Sequence, residues 1–153
     1  MTPLILRQIL LHSLGAFGGT LGYAFLLNAP LITVLPASLT GLLGYVIYEV
    51  MINLMGQGMI FSYFVATVVI AVICEIAARV MRMPSTIFLL TALVPLVPGY
   101  TFYCAMLAIV EHNGAAVASY GLEAVQIVAV IAVGAAVTST LFRALTVRSP
   151  RRR

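Results

Sequence analysis

Long apolar runs dominate the chain, and short segments rich in polar residues, glycine or proline separate them. A helix needs about 20 apolar residues to cross a bilayer, because each residue rises about 1.5 Å through a hydrocarbon core about 30 Å thick. Five runs reach this length and predict five membrane-spanning helices. They lie near residues 9–27, 34–55, 59–80, 85–110 and 120–145.

The overall composition supports this interpretation. Hydrophobic residues make up 63% of the 153 positions, and charged residues only 8%. A soluble domain of this length needs far more charge to cover its surface, so lipid must solvate most of the exterior. The predicted fold is therefore all-α, a polytopic membrane helical bundle that forms one transmembrane domain over residues 1–153.

The arginines indicate how the bundle is oriented. All eight basic residues are Arg, and four of them lie in the tail at 146–153. Arginine accumulates at the cytoplasmic ends of membrane spans. We therefore predict a basic cytoplasmic tail, a cytoplasmic loop at Arg79 and Arg82, and an N-terminus outside the cell. A basic tail can also bind nucleic acid, but beside a membrane span its topological role is favoured, and we expect no nucleic-acid partner.

The fourth apolar run is interrupted near its middle by Pro95, Pro98 and Gly99. Each proline lacks an N–H group and clashes with the carbonyl four residues earlier, and glycine permits backbone angles that other residues avoid. Irregular backbone is tolerated in a bilayer only where protein covers it or water reaches it. We therefore expect the fourth helix to stop and restart close to the bilayer midplane.

A helix that restarts there would present its first N–H groups and the positive end of its dipole to an anion such as a carboxylate. Transporters bind substrates at discontinuous helices of this kind. The alternative is a proline kink that only shapes the helix. The candidate substrate-binding residues are Pro95, Pro98, Gly99, Tyr100, Thr101 and Tyr103.

Glu49 is a second candidate, because a carboxylate inside a span is costly unless it is paired or protonated. It could carry a coupling proton or face a substrate amine, or it could be structural and bond a neighbouring helix or Tyr45. His12 is interpreted as an interfacial residue near the outer start of the first span. Glu75 and Arg79 are four residues apart and predict a local ion pair.

Small residues recur at helical spacing in three of the spans and predict close helix packing. The two cysteines lie in apolar runs without metal-ligand spacing, so we expect no metal site and no cofactor. The small residues are Gly15, Gly18, Gly19 and Gly22 in the first span, Gly41 and Gly44 in the second, and Ala132, Gly134, Ala136 and Thr138 in the fifth.

Several of these features together resemble the C-terminal half of the threonine/serine exporter family, and in particular the small subunit of its split, two-component form. The similarity covers about residues 22–110, and its last element is the most specific. In chain order, the matching elements are Leu27-Asn28-Ala29-Pro30, the helix with Gly41 and Gly44, the junction from Arg79 to Pro84, and Pro95-Leu96-Val97-Pro98-Gly99 followed by Tyr103.

The resemblance implies a location in the bacterial inner (plasma) membrane and export of threonine and serine, or of dicarboxylates such as succinate. It also implies a second exporter subunit homologous to the N-terminal half of the family, a half that this chain lacks. The predicted function is accordingly that of a non-enzymatic subunit of a secondary exporter for small carboxylate-bearing solutes, with membrane lipid and the second subunit as its partners.

Two other interpretations were weighed. A structural or assembly subunit would use the glycine faces for packing and bind no solute. A membrane enzyme is disfavoured, because the chain has no Asp, no pair of glutamates and no plausible metal or nucleophile set, and its histidines are expected at the outer face, away from Glu75.

Overall fold

The computed structural model describes residues 2–147, with side chains from 7 to 145, so most of the tail predicted at 146–153 lies outside the described residues. Every regular element within residues 2–147 is helical, which confirms the all-α prediction. A short 3₁₀ turn, Val94–Leu96, lies between the fourth and fifth helices. The helices are α1 (Thr2–Leu26), α2 (Leu31–Asn53), α3 (Met59–Met81), α4 (Ser85–Ala92), α5 (Gly99–Val110) and α6 (Gly114–Val147).

Within the described chain, α1, α2, α3 and α6 are each long and apolar enough to cross a membrane. The pair formed by α4 and α5 also qualifies, and it is bent by 56° at its break. The expected bundle of about five spans with a broken fourth span is thus confirmed. The last helix has 34 residues and is about 51 Å long at about 1.5 Å per residue. It therefore exceeds the hydrocarbon core of about 30 Å.

Three of the turns between helices depend on a residue in the left-handed backbone region, namely Asn28 (φ 50°), Arg82 (φ 52°) and His112 (φ 54°). In each turn the next N–H bonds the carbonyl five residues earlier, as Ala29 does with Ala24 at 3.0 Å. This geometry pairs the last carbonyls of a helix within the chain, where acyl chains could not pair them. The helices can therefore reverse direction over short loops.

The second helix lies at the centre of the bundle and packs against α1, α3 and α4. A Cβ added to Gly41 would lie 2.8 Å from the Thr20 hydroxyl oxygen and 3.1 Å from the Ala92 carbonyl oxygen. A Cβ added to Gly44 would collide with the side chain of Ile70, which is fully buried. The close approach predicted for the two α2 glycines is confirmed.

The third and sixth helices pack through Thr67 and Gly134, where an added Cβ would lie 3.2 Å from Cγ2 of the threonine. Arg79 joins the same two helices, because its Nη2 donates to the Phe142 carbonyl at 3.1 Å and its guanidinium lies 4.7 Å from that ring centroid. The Nη2 atom is also 3.9 Å from Glu75 Oε2, which confirms the predicted local ion pair.

The glycines of α1 differ from those of α2. A Cβ added to Gly15, Gly18, Gly19 or Gly22 would meet no atom of the described chain within 4 Å, and all four residues are exposed. The expectation that this stripe packs against another helix is therefore wrong for the described part of this chain. Lipid or another polypeptide must cover it in the membrane.

Candidate functional site

The break in the fourth span follows from its two prolines. After the 3₁₀ turn, Pro98 has φ −76° and ψ 61°. These angles are those of an inverse γ-turn, and the Gly99 N–H accordingly donates to the Val97 carbonyl at 2.7 Å. The helix restarts at Gly99 in a new direction. The predicted interruption is confirmed, with its geometry set by Pro98.

The turn leaves a defined set of backbone groups unpaired. The Val94 carbonyl loses its helical donor to proline but accepts the Val97 N–H at 3.1 Å, and the Gly99 N–H is used within the γ-turn. The Phe102 N–H bonds the Pro98 carbonyl at 3.0 Å. Only the N–H groups of Tyr100 and Thr101 at the start of α5 are left without an acceptor among the described residues. The helix start thus offers two adjacent donors.

The predicted binding residues do not all face the same way. Pro98 and Thr101 are buried, Pro95 is half-buried, and Gly99 is exposed. Tyr100 and Tyr103 are 78% and 62% exposed. Phenol hydroxyl groups seek hydrogen-bonding partners that acyl chains do not provide. The outer face of α5 therefore carries polar groups at a depth where lipid is a poor neighbour.

Glu49 is buried near the end of α2 and is held by two donors. Its Oε1 lies 3.0 Å from His12 Nδ1 of α1, and its Oε2 accepts a hydrogen bond from the Asn53 side-chain amide. The carboxylate is thus bonded to a neighbouring helix, which is one of the two roles weighed for it. Its partner His12, interpreted from the sequence as interfacial, belongs to the site.

The sequence contained a signal for this contact. His12 lies 17 residues before Ala29, and Glu49 lies 19 residues after Pro30. Two antiparallel helices joined by such a short turn place these positions at similar depth. The hairpin explains why the two residues lie at a similar depth. It does not explain why their side chains are on the facing sides of the two helices.

A cavity of about 340 Å³ lies between α1, α2 and the break. It brings Pro95 of the broken span together with His12 and Tyr45, whereas Tyr100, Thr101 and Tyr103 do not line it. Glu49 lies behind the imidazole rather than at the cavity wall. The lining residues are Leu11, His12, Gly15, Ala16, Tyr45 and Pro95.

A larger groove of about 610 Å³ runs between α3 and α6. Its walls are apolar apart from the exposed amide of Gln126, so acyl chains suit it better than a charged solute. Among the described residues, no group of three or more His, Cys, Asp or Glu side chains could hold a metal ion. The cavity beside the break is therefore the chemically richer of the two.

These features define a multi-pass α-helical membrane protein with a discontinuous span beside an ionisable pair, an arrangement that secondary transporters use. The model of the family described as Threonine/Serine exporter, ThrE matches residues 12–141. The chain belongs to this family and is an exporter-type membrane transport protein; such families are generally non-enzymatic. A comparison with curated proteins and one with solved structures each found no match.

Proposed function

We propose that the chain is one subunit of a secondary exporter that moves small carboxylate-bearing solutes out of a bacterial cell across its inner membrane. The solutes are threonine and serine, or dicarboxylates such as succinate. The observation that carries the proposal is the pair of unpaired N–H groups on Tyr100 and Thr101 at the restart of the broken span. A helix N-terminus attracts anions, and a carboxylate is the group that these solutes share.

The exporter proposed here works with a second subunit that resembles the N-terminal half of the family. Exposed polar groups inside the spans support this, namely Tyr100 and Tyr103 on α5 and Gln126 on α6. A second subunit could cover these groups or enclose a watery path beside them, which lipid cannot do. The open glycine stripe of α1 offers further surface for such a subunit.

The proposed orientation has the N-terminus outside and the C-terminus in the cytoplasm. Arg79 and Arg82, at the end of α3, and Arg143, near the end of α6, support it because arginine marks the cytoplasmic side. Five spans that enter from outside can pair with five that start inside. The two halves would then have opposite orientations, as they do in inverted-repeat transporters.

Efflux of labelled threonine and of labelled succinate tests the function. It is measured from cells that contain this chain alone, the candidate partner alone, or both. We expect one of the two solutes to leave the cell only when both chains are present. Robust transport by this chain alone would contradict the need for a partner, and no efflux of either solute from cells with both chains would contradict the function.

Two substitutions in the break test the binding site. Pro98→Ala should abolish transport because it removes the turn geometry that leaves two amides available, and Gly99→Leu should abolish it because it fills the open space at the helix start with a bulky side chain, while the amount of protein in the membrane stays unchanged. The matched control is Pro36→Ala, which replaces a proline inside α2, away from the break. Wild-type efflux from the Pro98 and Gly99 variants would refute the site.

Glu49 is proposed to couple transport to a proton or to the substrate amine. The buried carboxylate beside His12 supports this role. Glu49→Gln keeps the shape of the side chain and removes its charge. A change in proton coupling with normal folding supports a role in coupling, and unchanged transport identifies the residue as structural.

A structural or assembly subunit is the second candidate, and the open stripe on α1 is the observation that favours it. A single cysteine placed by Tyr100→Cys, at an exposed residue that carries one of the two unpaired amides, with Cys74 and Cys104 replaced by alanine, separates the two functions. Solute should slow the reaction of this thiol with a maleimide if the chain binds it at the break. A rate that does not respond to threonine or succinate would favour the structural role.

A further inference from the structure

His12 and Glu49 join two helices at the wall of the cavity beside the break. The carboxylate is buried, with 10% of its side chain exposed, whereas 56% of the His12 side chain is exposed. The imidazole lines the cavity and the carboxylate does not. The ring therefore lies between the buried charge and the space that solvent can reach.

We propose that His12 binds the coupling proton of the exporter, at Nε2, and that Glu49 is its positioning residue. The proposal rests on the exporter function proposed above and deepens it. The Nδ1 atom lies 3.0 Å from Glu49 Oε1, so in the neutral ring Nδ1 carries the hydrogen and Nε2 carries the lone pair. Within the described residues, Nε2 has no hydrogen-bond partner.

The proposed proton transfer takes place between water in the cavity and Nε2 of His12. A hydronium ion in the cavity donates a proton to Nε2 and leaves as water, and the resulting imidazolium is stabilised by the carboxylate at Nδ1. Release of the same proton to water restores the neutral ring, and no other bond forms or breaks. Both carboxylate oxygens are already engaged, Oε1 by His12 and Oε2 by Asn53, whereas Nε2 of His12 has no partner among the described residues.

Few other titratable groups of the described residues face His12 and Glu49. On α1, Arg7 lies more than one turn away from His12, and on α2 the titratable neighbours are Tyr45 and Tyr48. The residues of α4 and of the 3₁₀ turn carry no titratable group. Beyond α2, the Tyr63 ring of α3 lies against the Tyr48 ring, with ring centroids 4.4 Å apart. The charge of Glu123 on α6 interacts electrostatically with both phenols. Imidazole is the side chain that ordinarily titrates near neutral pH.

The same cavity connects the proton to the break. Pro95 and His12 both line it, so a positive charge gained on the ring acts on the segment where the fourth span is interrupted. Protonation and solute binding at the neighbouring helix start therefore influence one another. In an exporter this coupling allows a proton entering the cell to drive a solute out.

The test uses the chain and its candidate partner reconstituted together in liposomes. Two fluxes of labelled solute are measured, one driven by an imposed pH gradient and one by counterflow without a gradient. His12→Asn places an amide N–H near the position of Nδ1, so Glu49 keeps a donor while the titrating ring is lost. The control is His112→Asn, the same substitution at an exposed histidine whose φ of 54° suits asparagine.

We expect the His12 variant to lose all stimulation by the pH gradient and still to perform counterflow, which requires solute exchange but no net proton transfer. The His112 variant should keep both fluxes. Gradient-driven flux equal to wild type in the His12 variant would overturn the proposal. A wild-type protein that performs counterflow but whose flux does not respond to the pH gradient would also overturn the proposal. In that case the exporter function is still supported. Absence of counterflow in the wild type overturns the proposed function and this inference with it.

Glu49→Gln provides a second measurement that does not depend on the folding of the His12 variant. If Glu49 positions the ring and stabilises the imidazolium, its loss should shift the midpoint of the flux–pH profile to lower pH while gradient stimulation persists. A profile that does not move would contradict the positioning role. Loss of all stimulation would assign the proton to the carboxylate instead and overturn the assignment to His12.

Discussion

The contact between Gly44 and Ile70 allows the packing of α2 on α3 to be tested quantitatively. In Gly44→Ala the added methyl group would collide with the fully buried side chain of Ile70, which would have to shift within the core to make room. Overpacking of a core costs about 1–3 kcal/mol. Alanine is favoured over glycine in a helix by about 1 kcal/mol, which offsets part of this cost.

Gly22→Ala provides the comparison that isolates the collision. At this position of α1 the added methyl group meets no atom of the described chain within 4 Å. Both variants gain the same helix propensity, so the difference between them reports the steric term alone. We expect Gly44→Ala to be less stable than Gly22→Ala by about 1–3 kcal/mol.

The assay is reversible unfolding in mixed micelles with increasing sodium dodecyl sulfate, followed by circular dichroism because the chain has no tryptophan. Ile70→Ala in the Gly44→Ala background should recover part of the loss, with a coupling energy of at least about 0.5 kcal/mol. Equal stability of the two glycine variants, or strictly additive effects in the double variant, would refute the packing argument.

Three further predictions use the same unfolding assay. Thr67→Val should raise the free energy of unfolding by about 1 kcal/mol, because the buried Thr67 hydroxyl has no hydrogen-bond partner among the described residues; a less stable variant would contradict this. His112→Gly should stabilise the chain by about 0.5–1 kcal/mol by relieving a left-handed backbone conformation, and a loss of stability would indicate that the side chain matters more. Arg79→Met should cost about 1–2 kcal/mol, since it removes the contacts with Phe142, and the loss should shrink when Phe142→Leu is already present.

Features set by local stereochemistry could be predicted from the sequence. Pro95 and Pro98 predicted the interruption of the fourth span, because a proline ring breaks helical hydrogen bonding wherever it occurs. The sequence did not show that Pro98 would form a γ-turn, which occupies the Gly99 N–H and leaves the N–H groups of Tyr100 and Thr101 without an acceptor among the described residues. That detail depends on one ψ angle, which residue identity does not determine.

Features that depend on the relative rotation of helices were less predictable. Glycines at helical spacing predicted close packing for both α1 and α2, yet only those of α2 meet a neighbour within the described chain. The contact of His12 with Glu49 requires α1 and α2 to present particular faces to each other at one depth. Apolar periodicity gives little information on this, since lipid and protein interior are both apolar.

The long sixth helix gives the two halves of the broken span different mechanical attachments. The first half packs against α2 and α3, whereas α5 packs mainly against α6, and α6 itself rests on α3 at Gly134. The sixth helix, about 51 Å long, contacts α3 both at Gly134 and through Arg79 and Phe142, so it ties α5 to α3. A shift of α6 along α3 would carry α5 with it and change the angle of the break at Pro98, while the packing of α4 on α2 stays intact.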